Sequence, residues 1–313
     1  LNTVMTSATG NSTALATSAA TPTKNNCMIV TYGGANAGTM TAGSGFTLRT
    51  TGADGLGMAD LVQTTAASKA GLLTTSSSSQ WTIVAIAVEE PGAAYAAVSN
   101  SANAAASGSK TVPVPSGAAA DDIMVIFMYR ESLGAAPTCT GFNKPSNGAT
   151  GFDELANTSH AFYVGWKRLT GADSGNYTVS FGGGSVATEL FCFRVTGCPT
   201  TGNPFDVIAT GTANSTAAPS VSVTTTVENE LLLYGATNFT GGSYTPSGYT
   251  ERFDGDDCTG GTQPMGSAGS SGSKFATCST SDRTASWLGA LKTLQASAGS
   301  FDPKKASEFL MFF

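Results

Sequence analysis

The sequence predicts an all-β chain of tandem antiparallel β-sandwich, jelly-roll-like domains. Three observations carry that expectation: strand-length apolar runs recur about every hundred residues, Gly, Ser and Asn turns punctuate them, and no segment of helical length shows apolar i, i+3, i+4, i+7 spacing with caps.

Each repeat opens alike. CMIVTY at residues 27–32, IMVIFMY at 123–129 and LLLY at 231–234 are apolar runs ending near a tyrosine. Each follows a polar turn, KNN at 24–26, DD at 121–122 and ENE at 228–230, as expected of a hairpin entering a buried strand. Met28 to Ile123 and Ile123 to Leu231 are offsets of 95 and 108 residues, one sandwich-sized unit apiece. A second landmark follows: SGFTLR at 44–49, TGFNK at 140–144 and SGYTER at 247–252. Its glycine predicts a turn conformation closed to other residues, its aromatic a core anchor, and its Thr and Arg an outward alternation. Closing strands are expected at 81–88, 189–195 and 286–291, and HAFYVGWK at 160–167 alternates as a further strand.

These landmarks divide the 313 residues into repeat 1 at 1–92, repeat 2 at 93–198, and repeat 3 with an apolar C-terminal tail at 199–313. The Ala/Ser stretch at 93–108 and the segment at 197–219 read as linkers. Only 12% of residues are charged, about half the usual share, so the surface is largely hydroxyls, amides and small side chains. A net charge of -6 leaves no basic surface to neutralise phosphates, which argues against nucleic acid as a partner. The longest apolar runs are far shorter than the roughly 20 residues of a membrane-crossing helix, so no membrane span is expected. The first residue, Leu1, fits a processed N-terminus.

Six cysteines, Cys27, Cys139, Cys192, Cys198, Cys258 and Cys278, form no CxxC pair and accompany a single histidine, which argues against zinc and for oxidised pairs among some of them. Cys258 and Cys278 bracket a Gly/Ser-rich loop that a crosslink would tether, so they are the candidate disulfide. Spacing alone does not choose among the connectivities.

The run WKRLTGADSGNYTVSF at 166–181 resembles a pattern of bacteriophage tail, fibre and decoration proteins and of secreted bacterial repeat proteins. There an aromatic-rich strand leads through a Gly/Asp turn to a Tyr-x-Val-x-Phe strand. The Asp121-Asp122 turn and the SG-[FY]-T motif look like parts of the same unit. Repeat 3 departs from the pattern, with a Gly/Ser-rich excursion at 254–273 in place of the WKR strand. The resemblance implies a sandwich scaffold on a virion surface or outside the cell, and it transfers no catalytic residue.

Candidate chemistry is sparse. His160, the sole imidazole, lacks a neighbouring GxSxG-type nucleophile motif and reads as an ordinary strand residue. Asp254, Asp256 and Asp257 in FDGDDC are the densest acidic cluster and the candidate Ca²⁺ ligands, although EF-hand spacing is absent. Glu89 and Glu90 have no spacing that links them to a second acid, as a glycosidase pair requires. Gly182, Gly183 and Gly184 lack the GK[ST] of a phosphate loop and read as a hairpin tip. Five N-x-S/T sequons, at Asn11, Asn157, Asn176, Asn214 and Asn238, are about what chance supplies in so Ser/Thr-rich a chain. Tyr95, Tyr244 and Tyr249 are candidates for a sugar-stacking platform, with burial as the competing reading.

The tail residues Phe309, Leu310, Met311, Phe312 and Phe313 are expected to dock as a strand on the chain's own sandwich or on a neighbouring subunit. The expectation is thus a structural virion-surface protein that acts by self-association, without catalytic residues or cofactors. Its partners would be copies of itself or other surface subunits. The alternative is an extracellular adhesin or filament subunit that binds carbohydrate.

Overall fold

The computed structural model describes residues 5–22, 27–52, 55–63, 67–89, 92–157 and 160–294. It contains strands and no helix among them. The chain forms two compact units, the first with its described residues within 5–89, the second spanning Gly92–Leu294. The tail residues Phe309 to Phe313 lie outside the described residues.

In the first unit β1 (Met5–Ala16), β2 (Cys27–Ala35), β3 (Met40–Ala42), β4 (Thr47–Thr51), β5 (Leu56–Gln63) and β6 (Leu72–Glu89) form one antiparallel sheet. Its order is β1-β6-β2-β5-β4, with β3 added to β6. The second unit begins with β7 (Ala94–Ala106), β8 (Ser109–Pro113), β9 (Ile123–Arg130), β10 (Asp153–Asn157), β11 (His160–Arg168), β12 (Asn176–Ser180) and β13 (Val186–Thr196). It continues with β14 (Phe205–Ala217), β15 (Thr224–Thr225), β16 (Leu231–Asn238), β17 (Tyr244–Ser247), β18 (Thr250–Asp254), β19 (Cys258–Pro264), β20 (Gly269–Ser270) and β21 (Phe275–Leu291). Its two large sheets run β7-β13-β9-β11-β10 and β14-β21-β16-β19-β18. All three large sheets therefore share one strand order: first strand at an edge beside the last, then the apolar opening strand, then the remaining pair.

Both stretches expected as linkers are instead first strands of this order. Residues 94–106 pair with β13, and residues 205–217 pair with β21. Small side chains suit an edge strand that draws its stability from ladder hydrogen bonds rather than from burying large groups. The Gly-rich excursion of repeat 3 likewise contains a strand, β19, in the place that β11 takes in repeat 2.

The second landmark marks the same turn three times. Gly45, Gly141 and Gly248 have φ of 85°, 79° and 79°, a left-handed conformation that only glycine adopts freely. Phe46 and Phe142 after it are buried, and Tyr249 stacks on Tyr234 with ring centroids 4.5 Å apart. Thr47 and Arg49, and Thr250 and Arg252, alternate outward as expected, with Leu48 and Glu251 half-buried between them. Arg49 and Arg252 each sit at a register shift in their strand. Arg49 clasps Asp60 with two hydrogen bonds of 2.5 and 2.9 Å, and Arg252 lies over the Tyr95 ring at 4.4 Å.

Period-2 alternation gives each sheet two apolar faces. One face packs on a small second layer of the same repeat. In repeat 2 the pair β8 and β12 brings Val112, Tyr177 and Val179 onto Met124, Ile126 and Met128. In repeat 3 Val221 and Val223 cover Leu232 and Tyr234, and in repeat 1 Leu15, Ile29, Phe46 and Leu73 form the corresponding core. The other face differs in its cover. Ile123, Val125, Phe127, Phe162, Phe191 and Phe193 of repeat 2 and Leu231, Leu233, Trp287 and Leu291 of repeat 3 belong to one buried cluster. The segments 93–198 and 199–294 thus share a central core instead of forming separate sandwiches.

That core needs glycine where a ring crosses from the other sheet. A Cβ on Gly235 of β16 would lie 2.6 Å from the Phe127 ring, and one on Gly260 of β19 would lie 2.5 Å from Phe191. Gly235→Ala is expected to cost about 1–3 kcal/mol by overpacking. Urea unfolding monitored by tryptophan fluorescence measures it, and an unchanged midpoint would exclude the close approach.

Candidate functional site

The principal polar cluster lies in the second unit, where an end of the shared core opens. Strand β13 alternates, so Glu189 points with Phe191 and Phe193 toward the other sheet while Leu190 and Cys192 face the second layer. Glu189 is 2% exposed. Its Oε2 accepts the backbone N–H of Asp257 at 2.9 Å and of Cys258 at 3.1 Å, and Oε1 accepts that of Asp256 at 3.3 Å. The Cys258 thiol also donates to Oε2, at 3.2 Å. A carboxylate of repeat 2 therefore holds three consecutive amides of the β18–β19 turn of repeat 3. Gly255 is required there, because a Cβ would lie 2.3 Å from Glu189 Oε1.

Around this clasp Asp257, Cys258 and Lys110 are held in surroundings that favour their neutral forms. Burial, then the Glu189 and Asp256 charges, push Asp257 up to about 7, while the Asn103 amide, 2.5 Å from Oδ2, pulls the other way. Burial and Glu189 also push the Cys258 thiol well above its usual value, which suppresses thiolate chemistry. Lys110 donates to the carbonyls of Thr188 and Ala102, and burial lowers its pKa against the pull of Glu189. Outside lies a cleft of about 410 Å³ lined by Glu189, Asn100, Ser243, Asp254 and Asp256.

This geometry corrects the candidate calcium site. Asp254 and Asp256 are exposed on the cleft, but Asp257 is buried and turned to Asn103. Among the described residues no three His, Cys, Asp or Glu side chains are grouped to hold a metal ion. The candidate disulfide is also absent: Cys258 and Cys278 are both free thiols. Cys258 belongs to the shared core and Cys278 to the outer core of repeat 3, on opposite faces of one sheet. Cβ atoms on opposite faces point apart, so the bond cannot close.

His160 opens β11 and is fully buried between Tyr129 and Phe239, at 5.8 and 5.5 Å between ring centroids. Neither ring nitrogen has a hydrogen-bond partner, and burial, then Arg283, lower its pKa to about 4. A neutral imidazole enclosed by rings is a packing residue. The Gly182 to Gly184 segment covers the buried Arg130, whose guanidinium donates to the Gly184 carbonyl at 3.2 Å and stacks 4.8 Å from the Phe181 ring. The proposed tyrosine platform is dispersed in packing: Tyr95 sits edge-on to Phe193, Tyr244 is buried, and Tyr249 is stacked on Tyr234. Glu89 ends β6 and Glu90 lies outside the described residues.

Glu189 itself was not singled out by sequence. Its signal is faint: a lone acid at the start of the apolar run ELFCF. A better signal was available for Glu230, which follows the left-handed Asn229 (φ 57°) as Asp122 follows Asp121 (φ 68°). Asp122 is paired with Arg194 at 2.7 Å, whereas the fully buried Glu230 faces another carboxylate, Asp206. Burial first, then the Asp206 carboxylate, raise the Glu230 pKa from 4.5 to about 8. An acid that holds its proton better folded than unfolded contributes stability below its unfolded pKa and loses it as pH rises through the folded one. Glu230→Gln is therefore expected to raise the melting temperature at pH 8 to 9, with the gain shrinking toward pH 5. A pH-independent difference would contradict this assignment.

A second cleft, of about 580 Å³, lies in the first unit beside Trp81. Asn11, Asn36, Gln80 and Thr82 surround it, and the indole N–H is occupied by Ser12 Oγ at 3.0 Å. No helix among the described residues is long and apolar enough to cross a membrane. No protein-family model matches the chain, and no curated protein matches it.

Proposed function

We propose that this chain is a structural protein of a virion surface, such as a decoration, fibre or tail component, that works by shape and self-association and carries out no chemistry of its own. The observation that supports this most is the use of its buried ionisable groups. Glu189, the best-connected acid, is spent on joining two repeats, and the imidazole is sealed between rings. The threefold reuse of one strand order fits a scaffold, because each copy adds surface without adding a reactive centre. The phage-like run supports it too: Lys167 and the Tyr177 hydroxyl both bind Asp173, at 2.6 and 3.0 Å, and brace the turn between β11 and the second layer.

A second reading, an extracellular adhesin or filament subunit, draws on the first-unit cleft. An indole beside amide and hydroxyl side chains suits a sugar, whose apolar face stacks on rings and whose hydroxyls bond to amides. Immunogold labelling of purified virions against cell-shed fibres separates the two. Label on the particles supports the first reading, and label on fibres alone rejects it. A glycan array with Trp81→Ala as the comparison tests the second.

A further inference from the structure

We infer that the first unit pairs with the first unit of a second copy of this chain, through the sheet face that carries Tyr32 and Val62. The inference names the contact surface for the self-association proposed above and rests on that reading.

The argument starts from register. The opening strands align with Met28, Ile123 and Leu231 in equivalent places, since Met28 opposes Val88, Ile123 opposes Val195 and Leu231 opposes Leu291 on the last strand of each sheet. Residues two and four further on are Val30 and Tyr32, Val125 and Phe127, Leu233 and Gly235. In repeats 2 and 3 these positions are the buried, mutually packed faces of the shared core. In repeat 1 the own-layer core uses the opposite face, with Ile29, Ala35 and Ala59. On the face equivalent to the shared core, Tyr32 is 42% exposed, Leu56 40% and Val62 56%. Among the described residues, these are three of the five exposed large hydrophobics, so the exposure is concentrated on this face. Val30, Met58, Val84 and Ile86 beside them are only half-buried.

The same chain shows what covers such a face, namely another copy of the module. Repeats 2 and 3 cover each other's face in this way, and a second copy of the chain offers the first unit the same kind of cover. A twofold contact requires one surface to present both projection and recess. This one presents the exposed Tyr32 and Val62 beside the half-buried Val30, Met58, Val84 and Ile86. In the shared core the equivalent of Tyr32, Phe127, packs on Gly235, which holds the same register position in β16. The charged groups on the face, Arg49 and Asp60, are already paired with one another and present no net charge to repel a copy.

The test is sedimentation velocity on the full chain, as it stands and with Val62→Lys or Tyr32→Lys. The expected result is a dimer whose dissociation constant rises at least about tenfold with either lysine, because like charges then face each other across the twofold axis. Both positions are exposed, so an unchanged circular dichroism spectrum identifies a contact effect. A monomeric chain at ~100 μM, or a dimer indifferent to both lysines, overturns the inference. Deletion of 308–313 is expected to leave the dimer intact; dissociation on that deletion, with indifference to the lysines, makes the tail the occupant. A lysine-sensitive dimer found on neither virions nor fibres rejects the surface-protein reading and leaves the pairing standing.

Discussion

Replacing Glu189 by alanine is expected to lower the unfolding free energy of the second unit by about 3–5 kcal/mol, a large share of the total for a typical domain. Its carboxylate satisfies the amides of Asp256, Asp257 and Cys258, and at Asp257 and Cys258 these groups are buried. Each buried N–H stranded by the substitution costs about 1–3 kcal/mol. Glu189→Gln separates shape from charge. It keeps an acceptor oxygen near the turn, so it is expected to cost less than alanine, and it removes the charge that helps hold Asp257 near neutrality. The Asp257 pKa, followed by carboxyl carbon NMR, is expected to fall below about 7 in that variant. Burial remains its larger cause, so the fall is partial. A stability loss under about 1 kcal/mol in Glu189→Ala would show that water replaces the carboxylate and that the clasp is incidental.

Phe127→Ala is expected to be comparably severe, at about 3–5 kcal/mol. The ring stacks on Phe191 at 4.8 Å and meets Trp287 edge-on at 5.4 Å, so it links both sheets. Its removal opens a cavity beside Gly235, which has no side chain to move into the space. Phe46→Ala in the first unit serves as the comparison, since Phe46 packs only in its own repeat's core. It is expected to leave the melting of the second unit unchanged, as calorimetry of the full chain can resolve. A small loss for Phe127 would place the stability of repeats 2 and 3 in their separate second layers.

Much of the architecture was legible because large apolar residues and glycine punctuation announce themselves. The opening strands, the landmark turn and the closing strands occupy equivalent places in all three sheets. The first strands of each repeat were not legible in the same way. ANAAA-like and GTANSTA-like stretches have too little apolar contrast for period 2 to appear, and only the ladder with β13 or β21 makes them strands. The strand CTGGTQP was hidden for the opposite reason. Its glycines look like loop, yet Gly260 is the recess into which Phe191 projects and Gly261 lies against the Tyr249 ring. No reading of one segment reveals that its partner ring comes from about 70 residues away. The polar cluster failed on the same ground. Asp254, Asp256 and Asp257 are conspicuous neighbours in sequence, but Glu189 owns the turn, from a different repeat and through backbone amides that sequence does not mark. The cysteine pair failed because loop spacing says nothing about which face of a sheet each thiol occupies.

Face-to-face sharing of one core by two repeats underlies both the expected stability losses and the pairing inferred for the first unit. Amide hydrogen exchange of Phe127→Ala, read by mass spectrometry at the β16 peptide containing residues 231–238, tests it most directly. A shared core predicts that this substitution in repeat 2 lowers protection in β16 of repeat 3 as much as in β9. Loss of protection confined to residues 93–198, with β16 as slow to exchange as in the unsubstituted chain, would contradict it.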